Sequence, residues 1–256
     1  MNKLLGAVMA GALCSAVYGS IESANIVGYA PAELQAAGLT AGACFIPVTG
    51  KTFDLSTLSV VGYDKEDGCD GAVQLQTLNE FGQTVRTFLW KDFEFEGITF
   101  YGWYDADTDD ELEAGEVEFQ AGEGLWTYCD DDGLSLQSAG QVPTADISVM
   151  LQAAGLSVAN PTPLTVDLID CVVTGYDKED GCDGGVQLQT LNEFGQTVRT
   201  FLWKDFEFEG ITFFGWYDAD TDDELEAEEV EVGPGQGLWT YSDDDGFNFV
   251  WPKVAL

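Results

Sequence analysis

Apolar and polar residues alternate through much of the chain, and the alternation has period two. Residues 73–77 read Val-Gln-Leu-Gln-Thr, and residues 84–90 return as Thr-Val-Arg-Thr-Phe-Leu-Trp. Between them lies Asn79-Glu-Phe-Gly-Gln83, a glycine-containing turn. Period-two alternation puts one set of side chains on each face of a strand, so the two runs predict a β-hairpin. Residues 98–104, Ile-Thr-Phe-Tyr-Gly-Trp-Tyr, predict another strand from their aromatic and β-branched content. Residues 116–119, 125–128 and 134–137 complete the set, with an aspartate-rich turn at 130–133. Helix is sparse: 31–37 and 150–154 are the only modest candidates. Short strands closely spaced between glycine and aspartate turns indicate an all-β sandwich or barrel.

The pattern occurs twice. Residues 62–114 recur as 175–227 with two changes in 53 positions, Ala72 to Gly185 and Tyr101 to Phe214. Looser similarity extends outward: 34–39 matches 151–156, and 124–128 matches 237–241. Two tandem repeat units follow, at 24–142 and 143–256. Each is near the common domain size and long enough to bury its own core.

Residues 1–19 read as a secretory signal peptide. Lys3 precedes an apolar, small-residue run, and cleavage is expected after Gly19. That run is shorter than the ~20 residues a membrane-spanning helix requires, so no membrane span is expected. The chain is therefore expected to be secreted, whether to the periplasm, the cell surface or beyond. Export permits disulfides. Cys44 with Cys69 and Cys171 with Cys182 could give one bridge per unit, leaving Cys129 over.

Several segments resemble a class of uncharacterised exported bacterial proteins built from tandem β modules. They are Ala24-Asn-Ile-Val-Gly-Tyr29, Gly155-Leu-Ser-Val-Ala-Asn-Pro161, Gly215-Trp-Tyr-Asp218 and Gly235-Gln-Gly-Leu-Trp239. The resemblance implies a secreted β module and no catalytic residues.

Charge narrows the partners. The chain carries 46 acidic against 9 basic residues, a net −37, and no histidine. Such a surface repels nucleic acid and anionic membranes and favours cations or basic partners. Without histidine, Ser-His-Asp and Cys-His nucleophile systems are excluded, as is His-ligated zinc.

The acid is concentrated in a repeated dodecamer, 105–116 and 218–229. Its positions 1, 3, 5, 7, 9 and 12 are Asp105, Asp107, Asp109, Glu111, Glu113 and Glu116. In the second copy they are Asp218, Asp220, Asp222, Glu224, Glu226 and Glu229. This spacing resembles an EF-hand calcium loop in ligand positions only, since a strand leads in where an EF-hand has a helix. Leu112 and Leu225 stand at position 8, where an apolar residue pins such a loop to its core. Position 6, normally glycine, is Asp110 or Asp223, which predicts a strained turn there. Like charges at ~4 Å repel by about 1 kcal/mol per pair even in bulk water, so a divalent cation, calcium, is expected among them. The acidic turns at 64–70 and 177–183 are weaker candidates for a second cation.

Aromatics beside carboxylates suggest a different chemistry. Trp103, Tyr104, Trp216 and Tyr217 are candidate ligand-binding residues for glycans. A glycosidase needs two carboxylates at a set spacing; Asp92, Glu94 and Glu96, repeated as Asp205, Glu207 and Glu209, are the candidates, and turnover lost on Glu94→Gln or Glu207→Gln would reveal one. Tryptophans alternating along strands more often fill a core. The expected role is therefore structural or interactive, at the cell surface or outside the cell, with glycans or other surface proteins as partners and no catalysis.

Overall fold

A computed structural model describes residues 27–34, 38–39, 52–62, 73–79, 83–129, 134–151, 157–175, 185–192, 196–242 and 247–253. The signal segment, Cys44, Cys69, Cys182 and the acidic turns at 64–70, 130–132, 177–183 and 243–245 lie outside these residues. Twenty strands are described, ten per repeat. In the first they are β1 (Val27–Glu33), β2 (Gly38–Leu39), β3 (Thr52–Asp54), β4 (Ser59–Val61) and β5 (Val73–Leu78), then β6 (Thr84–Phe95), β7 (Ile98–Asp105), β8 (Glu118–Gln120), β9 (Trp126–Cys129) and β10 (Ser135–Gln141). The second holds β11 (Ile147–Met150), β12 (Ser157–Ala159), β13 (Val166–Asp167), β14 (Val172–Thr174) and β15 (Val186–Leu191), then β16 (Thr197–Phe208), β17 (Ile211–Asp218), β18 (Glu231–Val232), β19 (Gly237–Ser242) and β20 (Asn248–Trp251).

The two halves share one topology. Each has a five-stranded antiparallel sheet, β2-β9-β5-β6-β7 or β12-β19-β15-β16-β17. Each also has a three-stranded sheet, β1-β10-β4 or β11-β20-β14, and a two-stranded ribbon, β3-β8 or β13-β18. The chain is all-β. The only helical turns described are two short 3₁₀ turns, Leu55–Thr57 and Leu168–Asp170, each capped by a preceding aspartate whose side chain accepts a backbone N–H. None of the described residues forms a helix long and apolar enough to cross a membrane.

The helix expected at 31–37 is corrected over residues 31–33, which end strand β1 (Val27–Glu33), while 35–37 lie outside the described residues. β1 is an edge strand, so Pro31, opposite Gln137, is tolerated despite lacking an N–H. The expected helix at 150–154 opens on the last residue of β11, and 152–156 lie outside the described residues.

Each half has its own buried core. One gathers Phe53, Leu55, Val73, Leu75, Phe88, Trp90 and Trp103. The other gathers Leu168, Val186, Leu188, Phe201, Trp203 and Trp216 with Phe249 and Trp251. These are the inward positions of the alternating runs. Paired tryptophans stack edge to face across β6–β7 and β16–β17, at 5.2 Å and 5.1 Å. Cys171 is buried with a free thiol, so the bridge expected between Cys171 and Cys182 is not formed. Burial, reinforced by Asp170 and Asp167, pushes that thiol up and keeps it neutral.

The halves touch. Ala159 N–H donates to the Gly122 carbonyl at 2.8 Å, and Glu123 bridges Val158. Gly122 has φ +88°, and a Cβ there would fall 2.7 Å from Val149 and 3.1 Å from Trp251. Only glycine fits both the backbone and the space. Trp126 meets its own repeat counterpart, Trp239, edge on at 6.0 Å.

Glu123 sits in this contact, and burial lifts its carboxyl above the usual range, offset by a hydrogen bond from Gln120 N–H. Its repeat counterpart is Gln236, whose amide oxygen accepts the same bond, from Gly233 N–H. A raised folded pKa means the charged form costs stability, a cost absent at low pH and growing as pH rises through the unfolded value. Glu123→Gln is therefore expected to raise the melting temperature by a few degrees at pH 7 and to leave it unchanged near pH 3. A pH series of thermal melts checks this.

Candidate functional site

The repeated acidic loops are the densest cluster of chemistry among the described residues. Each begins at the end of a core strand and returns against it. Asp105 N–H donates to the Asp110 carbonyl, Asp109 N–H to the Asp105 carbonyl, and Leu112 N–H to the Trp103 carbonyl. Leu112 and Leu225 are buried in their respective cores. At the far end, Gly115 N–H donates to Asp54 at 2.8 Å, tying the loop to β3.

The tight turn falls one residue earlier than expected. Asp109 and Asp222, at position 5, take φ +63°, while Asp110 and Asp223 do not appear among the left-handed residues. The backbone closes between Asp105 and Asp109, so the left-handed residue is the one that ends that closure. Position 11 is left-handed too; it is Gly115 in the first copy and the more strained Glu228, φ +64°, in the second.

The carboxylates of positions 1 and 12 converge on a guanidinium. Arg86, on β6, donates from Nη2 and Nε to Asp105 Oδ2 at 2.6 and 3.1 Å, and from Nη2 to Glu116 Oε1 at 3.5 Å. Arg199 repeats this on Asp218 at 2.7 and 3.0 Å and on Glu229 at 2.9 Å. Asp105 also accepts Asp107 N–H at 2.8 Å, and Glu116 accepts Glu113 N–H at 3.1 Å. The arginine and the backbone donors hold the carboxyls of Asp105 and Asp218 below the usual carboxylate range. The same contacts raise both guanidinium pKa values.

Position 5 has its own cation. Lys91 Nζ lies 2.5 Å from Asp109, and Lys204 pairs with Asp222. Each ammonium also sits 5.7 Å from a ring centroid, Tyr104 or Tyr217. Burial, then the neighbouring Glu111 and Asp109, push the Tyr104 hydroxyl up, and Tyr217 responds alike to Glu224 and Asp222. Glu111 at position 7 lies over Gly102, where an added Cβ would come within 3.0 Å of its carboxylate. Asp107 and Glu113 point into solvent as exposed side chains.

Calcium takes six to eight oxygens around one point. Here positions 1 and 12 face an arginine, position 5 a lysine, and positions 3, 7 and 9 go elsewhere. Among the described residues no group of three or more carboxylates is placed to hold a metal ion. Four of the chain's nine basic side chains, Arg86, Lys91, Arg199 and Lys204, are spent on the two loops. In the second copy a cavity of about 440 Å³ opens over the loop, with Arg199 in its wall among Asp218, Asp223, Glu224, Glu226 and Glu229.

The candidate glycan residues divide. Trp103 and Trp216 are core residues, 2% and 1% exposed, and their indole N–H groups donate to the carbonyls of Leu58 and Cys171 at 2.8 Å. They offer no face to a sugar. Tyr104 and Tyr217 are half-buried beneath the lysines. Glu94 and Glu207 stand exposed near the ends of long hairpins.

Those hairpins are a feature the sequence reading missed. β6 runs to Phe95, not to Trp90, and turns through Glu96 and Gly97, both left-handed, into β7. Left-handed pairs form the two-residue hairpin turn that matches strand twist. The signal was Phe93-Glu-Phe95 followed by Glu-Gly, an alternation continuing past the tryptophan. No known protein family, curated protein or solved structure matches the chain.

Proposed function

We propose that the chain is an exported, acidic, non-catalytic interaction protein of the cell surface or extracellular space. In this reading two copies of one β module are fused so that every surface feature is presented twice. The observation that carries it is the joint between the halves: Gly122 packed on Val149 and Trp251, and Trp126 on Trp239. A direct contact between repeats favours one bivalent body over two independent modules.

Within this reading each acidic loop is closed by its own arginine and lysine, with no divalent ion required. A guanidinium donating from Nε and Nη2 to one aspartate oxygen, and from Nη2 to the glutamate, holds the two ends of the loop together through charge-assisted hydrogen bonds. The dispersed carboxylates keep the molecule soluble and select cationic partners.

Surface proteolysis and membrane-impermeant cross-linking on intact source cells test the role. A chain that starts at Ser20, is cleaved from outside and forms cross-linked adducts supports it. A chain that retains residues 1–19 and is shielded from both reagents overturns it.

A further inference from the structure

Beyond Asp92 and Tyr101 the β6–β7 hairpin leaves the body of the fold. Its register pairs Phe93 with Phe100 and Phe95 with Ile98, so these four side chains share one face. All four are exposed, Phe95 by 61% and Ile98 by 59%, and Phe93 stacks on Phe100 at 5.1 Å. The second copy repeats the face with Phe206, Phe208, Ile211 and Phe213, the first stacking on the last at 5.0 Å.

An exposed face of this kind costs solubility unless something covers it. Four large side chains about half exposed leave on the order of 400 Å² of apolar surface per arm, a size that marks interaction sites. Each arm alone offers about half of the ~800 Å² that one partner contributes to a standard protein interface, and its duplication adds a second contact point. Lys91 and Lys204 share the strip's face at its base but are already paired with Asp109 and Asp222, and the remaining charge around each arm is acidic. Glu94 lies on the reverse face, Glu96 in the turn, and Glu111 beside Gly102 at the arm's base.

We infer that these two arms dock a basic protein through an apolar strip flanked by lysine or arginine. The inference rests on the interaction role proposed above and names its surface and partner chemistry. Charge decides between occupants. Pairing the arm with another copy of this chain brings two −37 molecules together and sets glutamate rims against each other. A cationic rim on the partner turns the same carboxylates into an attraction and speeds association.

The test uses the full chain and three labelled dodecapeptides, followed by fluorescence anisotropy. One alternates leucine with lysine, one serine with lysine, and one leucine with glutamate. The leucine–lysine peptide is expected to bind at least tenfold more tightly than either control. The Phe95→Ser/Ile98→Ser/Phe208→Ser/Ile211→Ser variant is expected to lose that preference with an unchanged melting temperature. Ile98→Thr/Ile211→Thr, which keeps strand propensity, serves if that variant does not fold, and a severalfold loss is expected.

Equal binding of the serine–lysine peptide overturns the inference, because charge alone then suffices. Sedimentation showing a dimer that the substitutions abolish overturns it in favour of self-association, and binding to phosphatidylcholine vesicles through the arms overturns it in favour of a lipid surface. No preference among the peptides, in a chain still cross-linked on cells, removes this surface and leaves the interaction role. Failure on cells removes the role itself.

Discussion

Trp103→Ala is expected to melt the first repeat at least ~12 °C below its normal transition, and Trp216→Ala to do the same to the second. Each indole is almost wholly buried, packs edge to face on a second tryptophan and donates its N–H to a buried carbonyl. Truncating a buried tryptophan to alanine costs about 3–5 kcal/mol, against a total stability of about 5–15 kcal/mol. At roughly 4 °C or more per kcal/mol for a unit of this size, the shift is large. Because each repeat has its own core, calorimetry of either single variant is expected to show a new low-temperature transition beside a less affected one. A variant that keeps its melting profile and loses only glycan binding would make these tryptophans ligand residues.

Replacing both clasp arginines, Arg86→Gln with Arg199→Gln, is expected to lower stability by about 1–2 kcal/mol per repeat at pH 7. The figure belongs to Asp105 and Asp218, which are 8% exposed and would be left without their cation. Glu116 and Glu229 are far more open and contribute little. The pH dependence identifies the cause. Both aspartates have folded pKa values depressed below the ordinary ~3.9. Their contribution is therefore present above about pH 5 and lost as pH falls through the depressed values. Wild type and variant are expected to differ at pH 7 and to converge as pH falls through those depressed values. In the variant the unanswered carboxylates are expected to respond to millimolar calcium, which takes over the missing charge. A gap that persists unchanged below those values would point to lost packing instead.

The strands were legible because local alternation and burial agree. Leu75, Phe88, Trp90 and Trp103 are apolar where their faces turn inward. Two kinds of feature were not legible. One is pairing at long separation: Arg86 precedes Asp105 by 19 residues and Glu116 by 30, and only the β6–β7 register, Phe88 opposite Asp105, brings them together. Counting the acids of the dodecamer alone leaves these distant cations out of its electrostatics. The other is an element whose pattern and environment part company. Phe93 and Phe95 alternate as strand residues do, but their parity is opposite to that of Phe88 and Trp90, so they fall on the outward face where apolar residues are not expected. Pro31 misled in the opposite direction, since an edge position admits it to a strand. The tyrosines at 104 and 217 were found as aromatic candidates, but the lysines that lie over their rings come from the neighbouring strand.

Calorimetric titration of the intact wild-type protein with calcium tests most directly whether the two acidic loops are closed from within. At matched ionic strength, no stoichiometric heat and no rise in melting temperature beyond that given by sodium are expected. Uptake of two ions per chain, with a Kd in the ~10⁻⁴–10⁻³ M range of extracellular calcium modules and a matching rise in melting temperature, would contradict the arginine clasp.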